Sequence, residues 1–548
     1  MKTASSCTVK AVFFLLASVL LPVLGLGQNT YTPYTFITFA GSPGINGSNN
    51  GVGSAAHFYN PGGVAVDVSN NVYVADQNNG LIRKITPNGT VTTIAGTFNQ
   101  VVGLLQDGTN AMARFSHPSG VTVDGTGNLI VADLNNNAIR KIRPSGTNWV
   151  TSTLAGTTGR GEVDGTNSAA HFYSPHDVAV DGAGNIFVVD TLSLVFTGLG
   201  STIRKMTPLS TNWIVTTIAG QAGVPGIVDG TNRAALFYDP ESVVVDNSGN
   251  VFVGDNAAVR EITPLGTNWV VTTIAGSVTN YGTLDGTNNE ARFNAVRGLK
   301  MDKVNGNLYV ADLTLIRKVA LVGTNWVVTT LAGQPNVRGA NDGAGNLAQF
   351  NGACSVALDG YGNLYVADFY SSTIRKGFPF AITNQPQTQG ATLGTNVTLG
   401  VSLYGTGPFL YQWSFGGTPL TGQTNAALPL NSVQRTNSGL YSVAVTGADT
   451  NDIVASSNAV LRVLVAPVLQ PPQISSDGKL RLRFQDADGG VPFDLNSLEV
   501  QWRTSLPAGP DTNWQSLTSG FYLTNGVVEI DNTNMAGLPS GFYRVIEH

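Results

Sequence analysis

The sequence predicts an all-β protein: a six-bladed β-propeller closed by an N-terminal strand, followed by two smaller β-domains. Three observations predict it. Charged residues make up only 11% of the chain and Gly is abundant, at 65 of 548 residues. With Asn, Thr and Val common and Lys and Glu sparse, this favours short strands and tight turns over helices. A pair of apolar strands, each ending in Asp, recurs six times. The chain is also too long for one ordinary domain, and its composition changes in the last third.

At the N-terminus, Lys2 and Lys10 precede an apolar stretch from Ala11 to Leu26 that ends among small residues, the pattern of a secretory signal. Pro22 interrupts the stretch, which is short for a membrane span. Cleavage is expected after Gly27. The mature protein would then start at Gln28, be secreted or held at the cell surface or in the periplasm, and have no stable membrane span. The only cysteines are Cys7 and Cys354, so no internal disulfide would remain, and stability must rest on buried area and sheet closure. A net charge of −5 without a basic run gives no bulk attraction for nucleic acid.

The repeats read "GVAVD…VYVAD", "GVTVD…LIVAD", "DVAVD…IFVVD", "SVVVD…VFVGD", "GLKMD…LYVAD" and "SVALD…LYVAD", with the second Asp at 76, 133, 190, 255, 312 and 368. A third strand follows each time, as in "IRKI". A fourth, "VTTIAG" or a close variant, follows only in the first five units. Four antiparallel strands per unit, repeated six times, specify a propeller over residues 28–378. "TFITFAG", Thr35 to Gly41, has no partners of its own and matches the missing strand. It is expected to complete the last blade and remove the open sheet edges. The text of the units, as in "GVAVDVSNNVYVADQNNGLIRKI", resembles the NHL repeat family. That resemblance implies the propeller but no single function, since similar propellers include enzymes, adhesive extracellular modules and RNA-binding domains.

Recurrent side chains have structural explanations. Asp67, Asp124, Asp181, Asp246, Asp302 and Asp359 end the first strands, where a carboxylate can accept backbone N–H bonds and fix a turn. The same turn chemistry is expected of the Asp ending each second strand and of the "DG" steps. The third-strand arginines, Arg83, Arg140, Arg204, Arg260, Arg317 and Arg375, are expected between blades, each paired with a neighbouring Asp. They are spread around the ring rather than gathered on one surface, so the RNA recognition of some NHL relatives is not carried over. Trp149, Trp213, Trp269 and Trp326 read as packing residues. The Phe of each "A-x-F", Phe58 to Phe350, reads as a plug beneath a long connecting loop that carries "DGTN" in several copies.

Functional chemistry is expected where the repeats diverge. The first-strand entrances should ring one mouth of the central channel. In order they read Gly62-Gly63, Ser119-Gly120, His176-Asp177, Glu241-Ser242, Arg297-Gly298 and Cys354-Ser355. A structural repeat does not need an imidazole, two carboxylates, a guanidinium and a thiol at one position, but a binding mouth does. The candidate ligand-binding set is therefore His176, Asp177, Glu241, Arg297 and Cys354. Val195 and Phe196 join it from the longer loop Thr191 to Ser201, which reads either as a lid or partner contact, or as a hairpin capping its blade. No catalytic residues and no cofactor are assigned. Resemblance to amidating lyases would imply several zinc-binding channel histidines, and only His176 stands at the mouth. Resemblance to gluconolactonase-type propellers leaves a divalent metal at the mouth as the alternative, with Glu241 and Asp177 as contributors.

After Lys376, "GFPFAITNQPQTQG" reads as a Pro-containing linker. Residues 379–465 resemble a bacterial immunoglobulin-like domain, with Trp413 of "YQW" as the core tryptophan and Tyr441 of "NSGLYSV" at a tyrosine corner. Val401 and Val443 stand at the two positions where such domains carry cysteines. Residues 466–548 contain strand-like runs such as "KLRLRF" and "VVEI" and read as a small β-domain. The expected role is binding of a protein or glycan ligand by the loop face of the propeller. The alternative is a metal-dependent lyase or lactonase at the channel mouth.

Overall fold

The computed structural model describes residues 34–98, 104–191, 201–277, 279–405, 408–447 and 453–465, with shorter runs at 467–469, 471, 473–474, 480–486, 498–503, 515–516, 521–524, 527–531 and 542–547. The signal stretch and Val195 and Phe196 lie outside the described residues. Blade four illustrates how a repeat folds. Its innermost strand, Pro240–Val245, pairs with Val251–Asp255, which pairs with Ala258–Leu265, which in turn pairs with Asn268–Gly276. The first turn is organised by Asp246, whose Oδ1 accepts the N–H groups of Ser248 and Asn250, both at 2.8 Å. Equivalent bonds surround Asp67, Asp124, Asp181 and Asp359. Six such sheets make a six-bladed propeller.

Four strands per blade proves one too few. The "DGTN" segments, expected as loop, each add a two-residue outer strand, such as Gly230–Thr231, which pairs with Val271 and Val270. Side chains create that strand. Asn232 adopts φ +52°, and its Oδ1 accepts the Trp269 N–H at 2.7 Å while its Nδ2 donates to Asn268 Oδ1 at 2.9 Å. Short apolar periodicity cannot reveal a ladder made partly by an amide side chain.

The closing strand forms as expected. Thr35–Ala40 lies between Gly343–Ala344 and Thr373–Phe378, with Thr35 opposite Phe378 and Phe36 opposite Gly377. Phe36 is fully buried, and a Cβ on Gly377 would stand 2.4 Å from its ring. The corresponding pairs elsewhere join two aliphatic residues, such as Ile85 with Val91 and Ile262 with Val271.

The second-strand Asp residues do more than fix turns. Asp76, Asp133, Asp190, Asp255, Asp312 and Asp368 are fully buried, and each faces the third-strand Arg of its own blade at 2.6–3.6 Å. In blade four the Arg260 guanidinium also donates to the Leu236 and Val228 carbonyls and to Asp229, and it lies 4.9 Å from the centre of the Phe237 ring. All six arginines sit over the crossing Phe in this way. The "DG" Asp is thus the Arg's second anion, and in blade one Asn50 takes its place. Each Phe packs between its own blade and the preceding one, and tryptophans lock the same interfaces, as in the Phe187–Trp269 and Phe252–Trp326 edge contacts.

The expected linker is ordered structure. Phe378 belongs to blade six, Phe380 is buried, and Ala381–Asn384 pairs with Ser402–Tyr404. Phe378 and Phe380 join the core containing Trp413, Tyr441, Val443 and Leu461, so apolar burial bridges the propeller to the next sheets. In the final segment, Leu480–Asp486 and Val527–Asp531 pair in one sheet, and Leu498–Arg503 and Phe542–Glu547 pair in another. Among the described residues no helix is long and apolar enough to cross a membrane.

Candidate functional site

A backbone irregularity explains why one position per blade carries the chemistry. The innermost strands slip register against their neighbours between Pro175 and Asp177, Pro240 and Ser242, and Ala353 and Ser355. His176, Glu241 and Cys354 are the residues left over at these β-bulges. A bulged residue leaves the ladder, and its side chain is re-aimed. Gly62 holds the same place in blade one, and Ser119 and Gly120 share it in blade two. In blade five, Arg297 stands immediately before the strand Gly298–Met301.

These side chains converge. His176, Asp177, Glu241, Arg297 and Cys354 all line a cavity of about 250 Å³, together with Gln77, Ser119 and Phe369. Arg297 Nη1 lies 3.2 Å from Glu241 Oε2, with the Arg side chain 40% exposed and the Glu 15%. Burial raises the Glu241 carboxyl above the usual range, and the guanidinium opposes that rise. Asp239 is raised first by burial and then by the nearby Glu241 charge. Burial pulls His176 down to about 4, so its imidazole is neutral at pH 7. It can then donate from one nitrogen and accept at the other.

Two members are already engaged by the fold. Asp177 Oδ1 accepts the Val178 N–H at 2.8 Å, and its Oδ2 accepts the Val243 N–H of the next blade at 3.0 Å. Burial raises this carboxyl to about 6. Gly120 makes room for it, since a Cβ there would stand 2.3 Å from Asp177 Oδ1. The Cys354 thiol faces the Gly62 and Pro61 carbonyls of blade one at 3.2 and 3.3 Å. Its burial raises the pKa strongly, which keeps it a thiol rather than a thiolate nucleophile. Among the described residues, no three His, Cys, Asp or Glu side chains are grouped to hold a metal.

Sequence reasoning missed Asp239, Gln77 and Phe369, as well as Tyr370, whose phenol influences Arg297. A signal was available for the aromatic pair. The loop after the second strand reads "DFYSS" in blade six, whereas "DQNNG" and "DLNNN" in blades one and two carry amides. Phe369 and Tyr370 pack edge to face at 5.1 Å, with Arg338 over the Tyr370 ring.

The neutral imidazole has a measurable consequence. The His176 folded-state pKa is lower than its unfolded value of about 6.5, so the unfolded chain binds the proton more readily. Stability present at pH 7 should therefore fall as pH drops from 6.5 through about 4. His176→Gln should flatten that part of the curve of melting temperature against pH. An NMR titration placing His176 near 6.5 would contradict this.

A family model described as NHL repeat matches residues 58–85 and 115–142, in blades one and two. The chain therefore carries NHL repeats. Human NHL repeat-containing protein 2 is 30% identical over 175 residues, which cover 30% of this chain and 24% of the human protein. The chain thus spans about a quarter of that relative's length. Among solved structures, a structural-genomics protein of unknown function from Bacteroides thetaiotaomicron aligns at 20% identity and a TM-score of 0.47, over 63% of this chain and 75% of its own. An auxiliary nutrient binding protein from Bacteroides ovatus aligns at 16% identity and a TM-score of 0.46, over 63% and 76%.

Proposed function

We propose that this is an exported binding protein that engages a glycan or protein ligand at the bulge-lined mouth of its propeller. The observation that carries the reading is the convergence of His176, Glu241 and the half-exposed Arg297 on one cavity, from the position the repeats otherwise leave to Gly or Ser. The mouth offers a charged donor, a neutral imidazole and a carboxylate beside the Phe369 ring. Such a mixture suits hydroxyl and amide groups that both donate and accept. The neutral Cys354 thiol and the committed Asp177 oxygens favour binding over nucleophilic or metal chemistry.

Residues 379–465 are proposed to form an immunoglobulin-like sandwich that spaces or supplements this mouth. Trp413 is fully buried and Tyr441 Oη donates to the Asn437 carbonyl, a tyrosine-corner contact, while Val443 is buried and Val401 packs against the same core. Export predicts Gln28 as the N-terminus of the mature protein, read directly by N-terminal sequencing.

The test is capture of immobilised glycans and of surface-protein extracts by the purified chain. Arg297→Ala should weaken capture about tenfold or more, because a charge-assisted hydrogen bond contributes about 1.5–3 kcal/mol. Undiminished capture by both Arg297→Ala and His176→Ala would refute the mouth as the binding surface. Stoichiometric metal in the purified protein, lost in both His176→Ala and Glu241→Ala, would instead favour the lyase or lactonase alternative.

A further inference from the structure

A second cavity, of about 240 Å³, lies on the other side of the plane where Asp177, Leu299 and Ser355 line both spaces. Innermost strands end each sheet, so one backbone edge of each has no strand partner. Uncharged residues supply most of the lining, including Ala65, Thr122, Ala179 and Val244. The charged exceptions are Asp177, Lys303 at the rim and, inside the repeated strand, Lys300. In the repeat it occupies the position held by those four residues and by Ala357.

Lys300 is half-buried, and among the described residues no carboxylate comes within ion-pairing distance of it. The nearby negative group is Asp177, whose two oxygens are held by the Val178 and Val243 N–H groups. Lys303 lines the same cavity from an exposed position, and its charge opposes that of Lys300. Three other lysines of the propeller have partners: Lys141 meets Asp124 at 3.4 Å, Lys205 lies over the Phe187 and Trp269 rings, and Lys376 lies over Phe39, Tyr365 and Phe378. A cation that loses water without gaining a partner is unfavourable, and a second cation beside it adds repulsion. One bound anion relieves both.

We propose that this second cavity is an oxyanion site, in which Lys300, aided by Lys303, binds the phosphate or carboxylate of a small polar molecule. Its volume exceeds the 150 Å³ or so that holds a benzene-sized guest. A phosphate with a small attached group therefore fits. The site shares Asp177, Leu299 and Ser355 with the mouth but not His176, Glu241 or Arg297, so it stands whatever the mouth binds.

Calorimetric titration of the full chain tests it, with inorganic phosphate and, separately, acetate, at constant ionic strength in Tris chloride. One saturable site per chain is expected for phosphate, for acetate or for both, and the pattern tells which oxyanion geometry is preferred. Lys300→Ala installs the residue of blades one, three and six and should lower affinity about tenfold or more. Lys303→Ala should lower it less, and Arg297→Ala should leave it unchanged. A measurement on the unmodified protein guards against a folding defect: the anion that binds should protect Lys300, but not Lys141, from an amine-acylating reagent read by peptide mass spectrometry. No saturable binding of either anion, undiminished binding by Lys300→Ala, loss in Arg297→Ala, or equal acylation of Lys300 with and without the binding anion would each overturn the assignment.

Discussion

Arg260→Met should lower the folding free energy by about 3–5 kcal/mol, seen as a shift of the urea midpoint. The substitution nearly conserves volume, so the loss is electrostatic. It removes the 3.0 Å pair with Asp255, the 2.9 Å pair with Asp229 and two bonds to backbone carbonyls. Asp255 would then be a buried carboxylate without its cation. Even with Arg260 present, burial raises it to about 6, so removing Arg260 must raise it further. The folded variant would hold its proton more tightly than the unfolded chain does. Its deficit should accordingly shrink as pH falls towards about 6 and level off below that, where Asp255 is protonated in both proteins. Asp255→Asn in the Arg260→Met background should recover part of the loss at pH 7. Arg297→Met should by contrast change stability by only about 0–1 kcal/mol, because its pair with Glu241 is partly solvated. Equal effects at the two arginines would contradict the division between a buried structural clamp and a partly solvated pair at the mouth.

Gly377→Ile should open the ring, at a cost of about 3 kcal/mol. The change restores the aliphatic residue that blades one to five carry at this place, so by repeat logic it should be harmless. Phe36 makes it harmful, since even a Cβ at Gly377 meets the ring at 2.4 Å. Phe36→Val alone should destabilise by leaving a void. Combined with Gly377→Ile it would recreate the pair that Ile262 and Val271 form in blade four. A double-mutant cycle by urea denaturation should therefore show a favourable coupling of about 1–3 kcal/mol. Additive losses would mean that Phe36 and Gly377 are not matched to each other.

How much of this was legible follows from what repeats and what does not. The propeller and its closing strand were readable because each blade restates the same alternation, and "TFITFAG" was the one unpaired copy. The mouth was readable because His176, Glu241, Arg297 and Cys354 stand at a fixed distance before the first-strand Asp. The bulge that frees those side chains was not, since it is a property of pairing between strands. Asp239, two residues from Glu241, was not legible because the residue before the first-strand Pro varies from blade to blade, as Asn60, His117 and Ser174. The outer strand of "DGTN" depends on the Asn232 amide meeting Trp269 and Asn268 some 36–37 residues away. Lys300 was hidden in another way. Within "GLKMD" it looks like a solvent-facing strand residue, and only ring closure turns that side towards a channel.

The closing strand also sets an order of events. Thr35 and Phe380, whose hydroxyl and carbonyl meet across the seam, are 345 residues apart. Joining chain segments so distant costs about 5 kcal/mol in loop entropy before any contact repays it, and pairings of this kind form slowly. Until the last blade has formed, Thr35–Ala40 must wait without a partner. Once it has formed, the Thr373–Phe378 edge stands open to any matching strand. Concentrated refolding therefore offers each unfinished ring the first strand of a neighbour, and dilute refolding offers only its own. The seam that gives the native molecule its closed circle is the place where two copies can be exchanged.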